Sequence, residues 1–435
     1  MIFKNILHTA GTRILNAVFN LAVLLLITNF IGSKGFGIIS LIVLDITVIQ
    51  LFMGLLAGGS LIYFASRQKT VKLLLVSYLW ISFVTLAFAC IGWLFLMLFP
   101  SLFGDVVPKG FELDILLLGL LNGFMQIHYN LLIGQKRIPV YNLIFSIQIT
   151  LFLIIFVLEL LLNKENGPEA YVTAMYISWG IGSILGLFQI IKKIKAFSLQ
   201  GWKIVLGEIG RYGLPTQSAV MLHIGNKRLS FYFIRIFAGL SPLGIYSAGV
   251  QLTEGLRLIG QSISLVQYSA ISNSRDKEYA RILSIKLMKF TLLLTFLALL
   301  ILLVIPQNIY QLAFSQDFGV VKTIVWVLSP GVMALAANTI FSHYFSGVGK
   351  PAVNLRANVI GFIFTLLFAF LLIPPYGYIG AASTASLNYL ASVIYQYIVF
   401  QRQTHTRFRE WVLRIGDMKL FVETFRQMRH PEIPN

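Results

Sequence analysis

Charge is scarce in this sequence. Of 435 residues, only 11% are Asp, Glu, Lys or Arg, and 57% are apolar; an ordinary soluble domain carries about 25% charged residues. So thin a polar complement excludes a water-soluble enzyme of this length, and the mean hydropathy of +0.81 agrees. Acids are the rarer charge, with 16 Asp and Glu against 34 Lys and Arg, a formal +18. A nucleic-acid binder can carry that balance, but here the bases sit in short clusters between apolar runs. That pattern fits a charged membrane face and no nucleic-acid partner. Only one cysteine is present, Cys90 inside an apolar run, so intrachain disulfides are excluded and it reads as a small hydrophobe. A cleavable leader is missing too. Residues 14–31 are long enough to span, no small-residue cleavage site follows, and the first helix is expected to be retained as a signal anchor.

What the sequence has in quantity is long apolar runs. A helix needs roughly 20 apolar residues to cross a bilayer. Such runs occur at 13–32, 37–64, 73–99, 113–134, 139–162, 170–191, 206–238, 243–271, 284–305, 321–346, 352–373 and 378–400. The expected fold is an all-α integral membrane protein with twelve transmembrane helices. The seventh run would be about 50 Å long if unbroken, and Pro215 near its start is the expected place for a bend. With the N-terminus inside, cytoplasmic segments hold 26 of the bases, while external segments hold only Lys34, Lys109, Lys164 and Lys322. The bias sets an N-in, C-in orientation. The tail, 401–435, is basic, with Phe408, Trp411, Val412, Ile415 and Met418 at roughly helical spacing, and is expected to lie as an amphipathic helix on the inner leaflet.

The sequence also repeats itself. Residues 30–40, FIGSKGFGIIS, align without gaps with residues 237–247, FAGLSPLGIYS, matching at five of eleven positions. A second pair, GQKRIPVYNL at 134–143 and GVGKPAVNL at 347–355, aligns at a similar offset with one gap. Six helices separate the copies, so the halves point the same way. Parallel repeats of that kind place a substrate site between two lobes, here 1–195 and 196–400. Two six-helix lobes suit alternating access, and so a transporter rather than a channel or an enzyme.

Ionisable residues inside the membrane are costly and face a cavity or a partner. At helical rise, Arg228 lies about 16 Å from the external end of the seventh span with Lys227 just deeper; Glu254 and Arg257 on the eighth lie about 16 and 21 Å deep. His223 shares a face with Lys227, and Arg235 shares one with Arg228 nearer the exit. One reading is a basic funnel for an anionic headgroup, with Arg suited to bidentate phosphate contacts. The other is structural pairing, since Glu254 and Arg257 are three apart. The positions aligned with these charges in the first half are Asn20, Leu21, Thr28, Thr47 and Gln50, so the basic cluster belongs to the second half alone. Asp45, the first half's buried acid, could carry a coupling proton or Na⁺, or counter a base across the lobes. Asn122, Gln126, His128 and Asn130 on the fourth span, with Asn338 and His343 on the tenth, read as helix-to-helix hydrogen bonds or cavity lining. No catalytic motif appears, and GVGKP at 347–351 fails as a phosphate loop because Pro351 stands where Ser or Thr should bind Mg²⁺.

Twelve spans in parallel halves, the GSKGFG turn at 32–37 with its echo GIYS at 244–247, and YGLP at 212–215 entering a long seventh helix resemble a known family. They are similar to the bacterial polysaccharide-biosynthesis exporters, the O-antigen repeat-unit flippases of the multidrug/oligosaccharidyl-lipid/polysaccharide superfamily. The resemblance covers about residues 1–400. It implies a multi-pass protein of the bacterial inner membrane that turns an undecaprenyl-diphosphate-linked oligosaccharide from the inner to the outer leaflet. It also implies membrane lipid around the polyprenyl tail, and a polysaccharide polymerase and chain-length machinery as partners. Coupling to H⁺ or Na⁺ stays open, and no other cofactor is expected. A multidrug-extrusion-type antiporter shares the architecture, and a polysaccharide polymerase or ligase would have a similar span count.

Overall fold

A chain with this little charge can satisfy its backbone in lipid only by hydrogen-bonding within each segment, which means helices. The computed structural model describes residues 15–162, 167–194, 198–274 and 276–411, and no strand occurs among them. The helices run in the order α1 (15–26, closed by a π turn at Ile27–Ile31), α2 (Gly32–Ala57), α3 (Gly59–Phe64), α4 (Thr70–Leu98), α5 (Pro100–Val106), α6 (Glu112–Gly134), α7 (Ile138–Leu162) and α8 (Pro168–Ile191). They continue with α9 (Trp202–Ala238), α10 (Leu240–Gly255), α11 (Arg257–Ser272), α12 (Lys277–Val304), α13 (Gln307–Phe314), α14 (Val321–Gly347) and α15 (Ala352–Thr404).

Among the described residues, eight helical stretches are long and apolar enough to cross a membrane. Two of them, Leu15–Phe64 at 50 residues and Ala352–Thr404 at 53, each contain two of the runs expected from sequence. The second is kinked at Gly377, where φ is 52° and ψ is −126° just after Pro374 and Pro375. α9 and the α10–α11 stretch fall outside the eight. α9 is a 37-residue helix that continues through Pro215. The eighth run, expected as one span, is broken at Leu256, whose N–H reaches back three residues to Thr253 instead of four.

Packing divides the chain into two units, Met1–Ala248 with Asn308–Val321 and Ile373–Tyr378, and Gly249–Gln307 with Lys322–Leu372 and Ile379–Asn435. The division falls within α10, and α9 packs along α2 in the first unit. Ile42, Ile46, Ile49 and Met53, spaced for one face of α2, form the first unit's core with Leu73, Ile81 and Ile127. The second unit's core is Met288, Ile340, Phe341, Tyr344, Phe345 and Phe400. Its helices are also joined by amides. Asn338 donates to Gln396 Oε1 at 3.0 Å, and Gln396 donates to Asn354 Oδ1 at 3.1 Å. Elsewhere Leu86, Trp93, Met97, Ile301 and Phe370 are exposed, an apolar surface suited to lipid rather than water.

The repeated segments share backbone geometry. Gly32 (φ 78°, ψ −178°) and the aligned Gly239 (φ 97°, ψ −173°) take the same left-handed turn, which a side chain adopts only under strain. In the second pair, Lys136 (φ 60°) aligns with Gly349 (φ 75°). There Arg137 N–H donates to Leu132 O and Lys350 N–H donates to Phe345 O, the same long closing bond in each copy. The first pair also meets reciprocally: Gly37 is seated on the carbonyl of Leu240, and Gly244 on that of Ser33. Ser33 donates to Asp317 Oδ2 at 2.9 Å, so in its 2.7 Å contact with Ser241 it is Ser241 that donates.

The expected N-terminal anchor begins, and the amphipathic tail continues, outside the described residues. Of the tail, Trp411 packs on Phe341, Tyr397 and Phe400 of the second unit, and Glu410 pairs with Arg281.

Candidate functional site

Several of the charges singled out from sequence lie on α9, whose positions 228, 232 and 235 share a face. Lys227 is buried, only 8% exposed. Arg228 is half-buried, its guanidinium 5.1 Å from the centre of the Phe231 ring on the next turn, a cation–π distance. His223, half-buried, lies one turn before Lys227. One turn beyond Arg228, Tyr232 donates a 2.6 Å hydrogen bond to Oδ1 of Asp45 on α2. Asp45 is itself buried, and its Oδ2 has no hydrogen-bond partner among the described residues. Its partner is thus a neutral phenol, and no base among the described residues forms an ion pair with it.

Arg235 is matched by an acid to which the sequence had assigned no role. Its Nη2 lies 3.3 Å from Asp105 Oδ1 on α5 and donates to Gly104 O at 3.3 Å. Glu254 and Arg257 flank the break between α10 and α11, both half-buried. They belong to the second unit, and Lys227 and Arg228 to the first. The four-charge cluster expected from sequence is therefore not one that either unit assembles by itself.

The polar residues of α6 divide. His128 is buried and bonds Tyr78 at 2.5 Å and Ser183 at 3.5 Å, a helix-to-helix tie. In the second unit His343 bonds the Thr339 carbonyl of its own helix at 2.8 Å. Gln126 and Asn130, by contrast, line a cavity of about 200 Å³ in the first unit together with Gln50 of α2 and Gln217 of α9. Sequence reasoning missed Tyr232, Asp105 and Gln217. Tyr232 had a signal, since it falls one turn from Arg228 on the same face. Among the described residues no group of three or more His, Cys, Asp or Glu could hold a metal ion.

No family model matches the chain. It is 26% identical over 185 residues to an uncharacterised membrane protein of Methanocaldococcus jannaschii, covering 41% of this chain and 36% of that one. It is 28% identical over 100 residues to the capsular polysaccharide biosynthesis protein CapF of Staphylococcus aureus, covering 23% and 25%. A probable low-salt glycan biosynthesis flippase, Agl15 of Haloferax volcanii, is 23% identical over 241 residues, covering 54% and 50%. The matches thus span half or less of these curated relatives. Among solved structures, the lipid II flippase MurJ in an inward closed conformation superposes with a TM-score of 0.74 at 16% identity, covering 100% of this chain and 94% of that one. An inward-facing multidrug resistance transporter of the MATE family, MOP superfamily, superposes with a TM-score of 0.63 at 15% identity, covering 89% and 98%. The chain has the multi-pass helical fold seen in MurJ, a flippase, and in the MATE transporters.

Proposed function

We propose that this chain is a flippase. Its substrate is an undecaprenyl-diphosphate-linked oligosaccharide repeat unit, turned from the inner to the outer leaflet of the bacterial cytoplasmic membrane by alternating access. One observation carries the reading: two adjacent cations, Lys227 buried and Arg228 half-buried, sit mid-helix in a fold shared with a lipid II flippase. A diphosphate crossing hydrocarbon needs cations on its path, and Arg offers it paired donors. Arg257, Arg235 and His223 extend that path. The glycan-flippase and capsular relatives favour a lipid-linked sugar as cargo.

In this reading the chain crosses twelve times, with both termini cytoplasmic. Two stretches of 50 and 53 residues cross twice each, and α9 and α10–α11 add two more polar crossings. The matched turns at 32/239 and 136/349 support two parallel lobes, 1–195 and 196–400, with the tail 401–435 at the inner surface. The polyprenyl tail stays in lipid while the sugars cross, and polymerase and chain-length proteins take the product. Asp45 is the acid at which a coupling H⁺ or Na⁺ would act, with Glu254 either sharing that role or pairing with Arg257.

The MATE likeness keeps a second reading, a multidrug antiporter, although a cationic α9 suits organic cations poorly. The deciding experiment locates the lipid-linked oligosaccharide in spheroplasts of cells lacking the protein, using a membrane-impermeant sugar-modifying probe. Intermediate that accumulates out of the probe's reach supports the flippase. Accumulation within reach puts the block after translocation and favours a polymerase or ligase, while no accumulation favours the antiporter. The double variant Lys227→Gln, Arg228→Gln should reproduce the block while inserting normally; full export by that variant removes the headgroup role.

A further inference from the structure

The charge-based reading leaves unused the cavity between α2, α6 and α9 in the first unit. It opens where α2 breaks. The helix stops at Ala57, Gly58 takes a non-helical conformation (φ −94°, ψ −139°), and α3 begins at Gly59. Irregular backbone at membrane depth is tolerated only where protein buries it or where it lines a cavity, and such breaks mark binding sites in transporters.

The chemistry of the lining is specific. None of its residues is ionisable. Three of its four amides commit their nitrogens to main-chain carbonyls: Gln50 to Gly119 O at 2.6 Å, Gln217 to Leu51 O at 2.9 Å and Asn130 to Ala57 O at 3.3 Å. Those bonds fix the orientation of each amide and leave three amide oxygens without a protein donor among the described residues. Gln126 makes no hydrogen bond to any described residue and is exposed. Gly54 makes the arrangement fit, because a Cβ there would lie 2.7 Å from Cδ of Gln217. The three oxygens call for donors from an occupant, and Gln126 offers it both an oxygen and an NH2. With no charge in the lining, a phosphate would find no cation and an organic cation no carboxylate. The volume, about 200 Å³, equals some six to seven waters at about 30 Å³ each, far more than a bare ion fills.

We infer that this cavity is a subsite for one uncharged sugar ring, whose hydroxyls donate to the amide oxygens while Met53 meets its C–H face. The inference rests on the proposed function only for the source of the ring, the glycan of the lipid-linked substrate. It also gives the repeat a division of labour. Gln50 stands at the position aligned with Arg257, so the first copy offers neutral acceptors where the second offers a cation.

The test uses the full chain in detergent, with methyl α-glucopyranoside and N-acetylglucosamine as probes, read by saturation-transfer NMR in sodium-free KCl. Saturable, millimolar transfer is expected. Gln126→Leu, which cuts no protein hydrogen bond, should weaken it about threefold to tenfold, the worth of one hydrogen bond, and Gln126→Asn should recover part of the loss. Absence of saturable transfer from both sugars, or equal transfer in Gln126→Leu, overturns the inference. So does saturable ²³Na⁺ binding abolished by Gln126→Leu without sugar, which would make the cavity an ion site. Run beside the leaflet assay, the outcomes separate. Translocation that depends on the chain without sugar binding removes the subsite alone, and sugar binding without a leaflet defect removes the flippase alone.

Discussion

The reciprocal seating of Gly37 and Gly244 yields a numerical prediction. A Cβ on Gly244 would press on the carbonyl of Ser33 and lie 2.9 Å from the amide nitrogen of Gly37, and one on Gly37 would press on the carbonyl of Leu240. Overpacking a close contact costs about 1–3 kcal/mol. The upper half of that range applies, because the obstacle is main chain, which cannot rotate aside. Alanine's better helix propensity returns about 1 kcal/mol, leaving about 1–2 kcal/mol. At roughly 2–4 °C per kcal/mol, Gly244→Ala and Gly37→Ala should each lower the melting temperature by about 2–8 °C, and by similar amounts because they are equivalent. Both substitutions force the same two segments apart, so the double variant should lose clearly less than the sum. Gly180→Ala on α8, where a Cβ meets nothing within 4 Å, is the control and should melt at or slightly above the parent. The assay is the fraction of monodisperse protein surviving heating in detergent. A Gly244→Ala variant as stable as the parent would refute the reasoning.

Two further predictions concern single contacts. Tyr232→Phe deletes the hydroxyl that donates to Asp45 and strips a buried carboxyl of that donor, a loss of about 1–3 kcal/mol; Asp45→Asn keeps an oxygen for Tyr232 and should melt higher than Tyr232→Phe in the same assay. Glu410 is held below the usual carboxylate range by the backbone N–H of Arg407 and then by the Arg281 guanidinium. A depressed carboxylate stabilises the docked turn above its unfolded pKa and loses that contribution as pH falls through the folded value. Trp411 emission, measured against a Trp411→Phe background, should therefore shift red only below about pH 4.5, and Glu410→Gln should abolish that pH dependence.

The reach of the sequence differs by feature. The apolar runs marked where helices form, because backbone in lipid has no alternative partner, and the turns at Gly32 and Gly239 were legible as matched glycines, whereas the second pair sets Lys136 against Gly349. The gaps between neighbouring runs at 32/37 and 373/378 were legible too, for the chain turns there at Gly32 and Gly377 inside helical stretches of 50 and 53 residues. The break at Leu256, within a single run, was not. Lys227 is buried, as its place within an apolar run suggested. Its surroundings were not legible, since Tyr232 and Asp105 reach their partners across 187 and 130 positions of sequence and no local pattern encodes such a meeting. The amide cavity was legible in part: Gln126 and Asn130 stood out on their span as cavity lining or helix ties, but Gln50 and Gln217 join them only through the packing of α2 and α9.

Comparing the two copies position by position also indicates where function sits. Among the positions where they agree, Gly32 and Gly239 turn the chain, and Gly37 and Gly244 admit the other copy's main chain. Among the positions where they disagree are the charges. Lys227 and Arg228 replace Asn20 and Leu21, Arg257 replaces Gln50, and Asp45 has Leu252 as its counterpart. A duplicated fold needs symmetry to keep its packing, while a substrate with a charged end and a neutral end needs the opposite. The asymmetric positions are then the ones to substitute by their own counterparts. Arg257→Gln and Gln50→Arg each make the copies alike at one place. Gln50→Arg also brings a cation into a lining without an acid and cuts the bond to Gly119 O, a cost of about 1–3 kcal/mol, so export is scored per folded protein. If the charge asymmetry serves transport, both should impair export in the leaflet assay. Export by Gln50→Arg at the parental level would mean that the neutral copy plays no part in handling substrate.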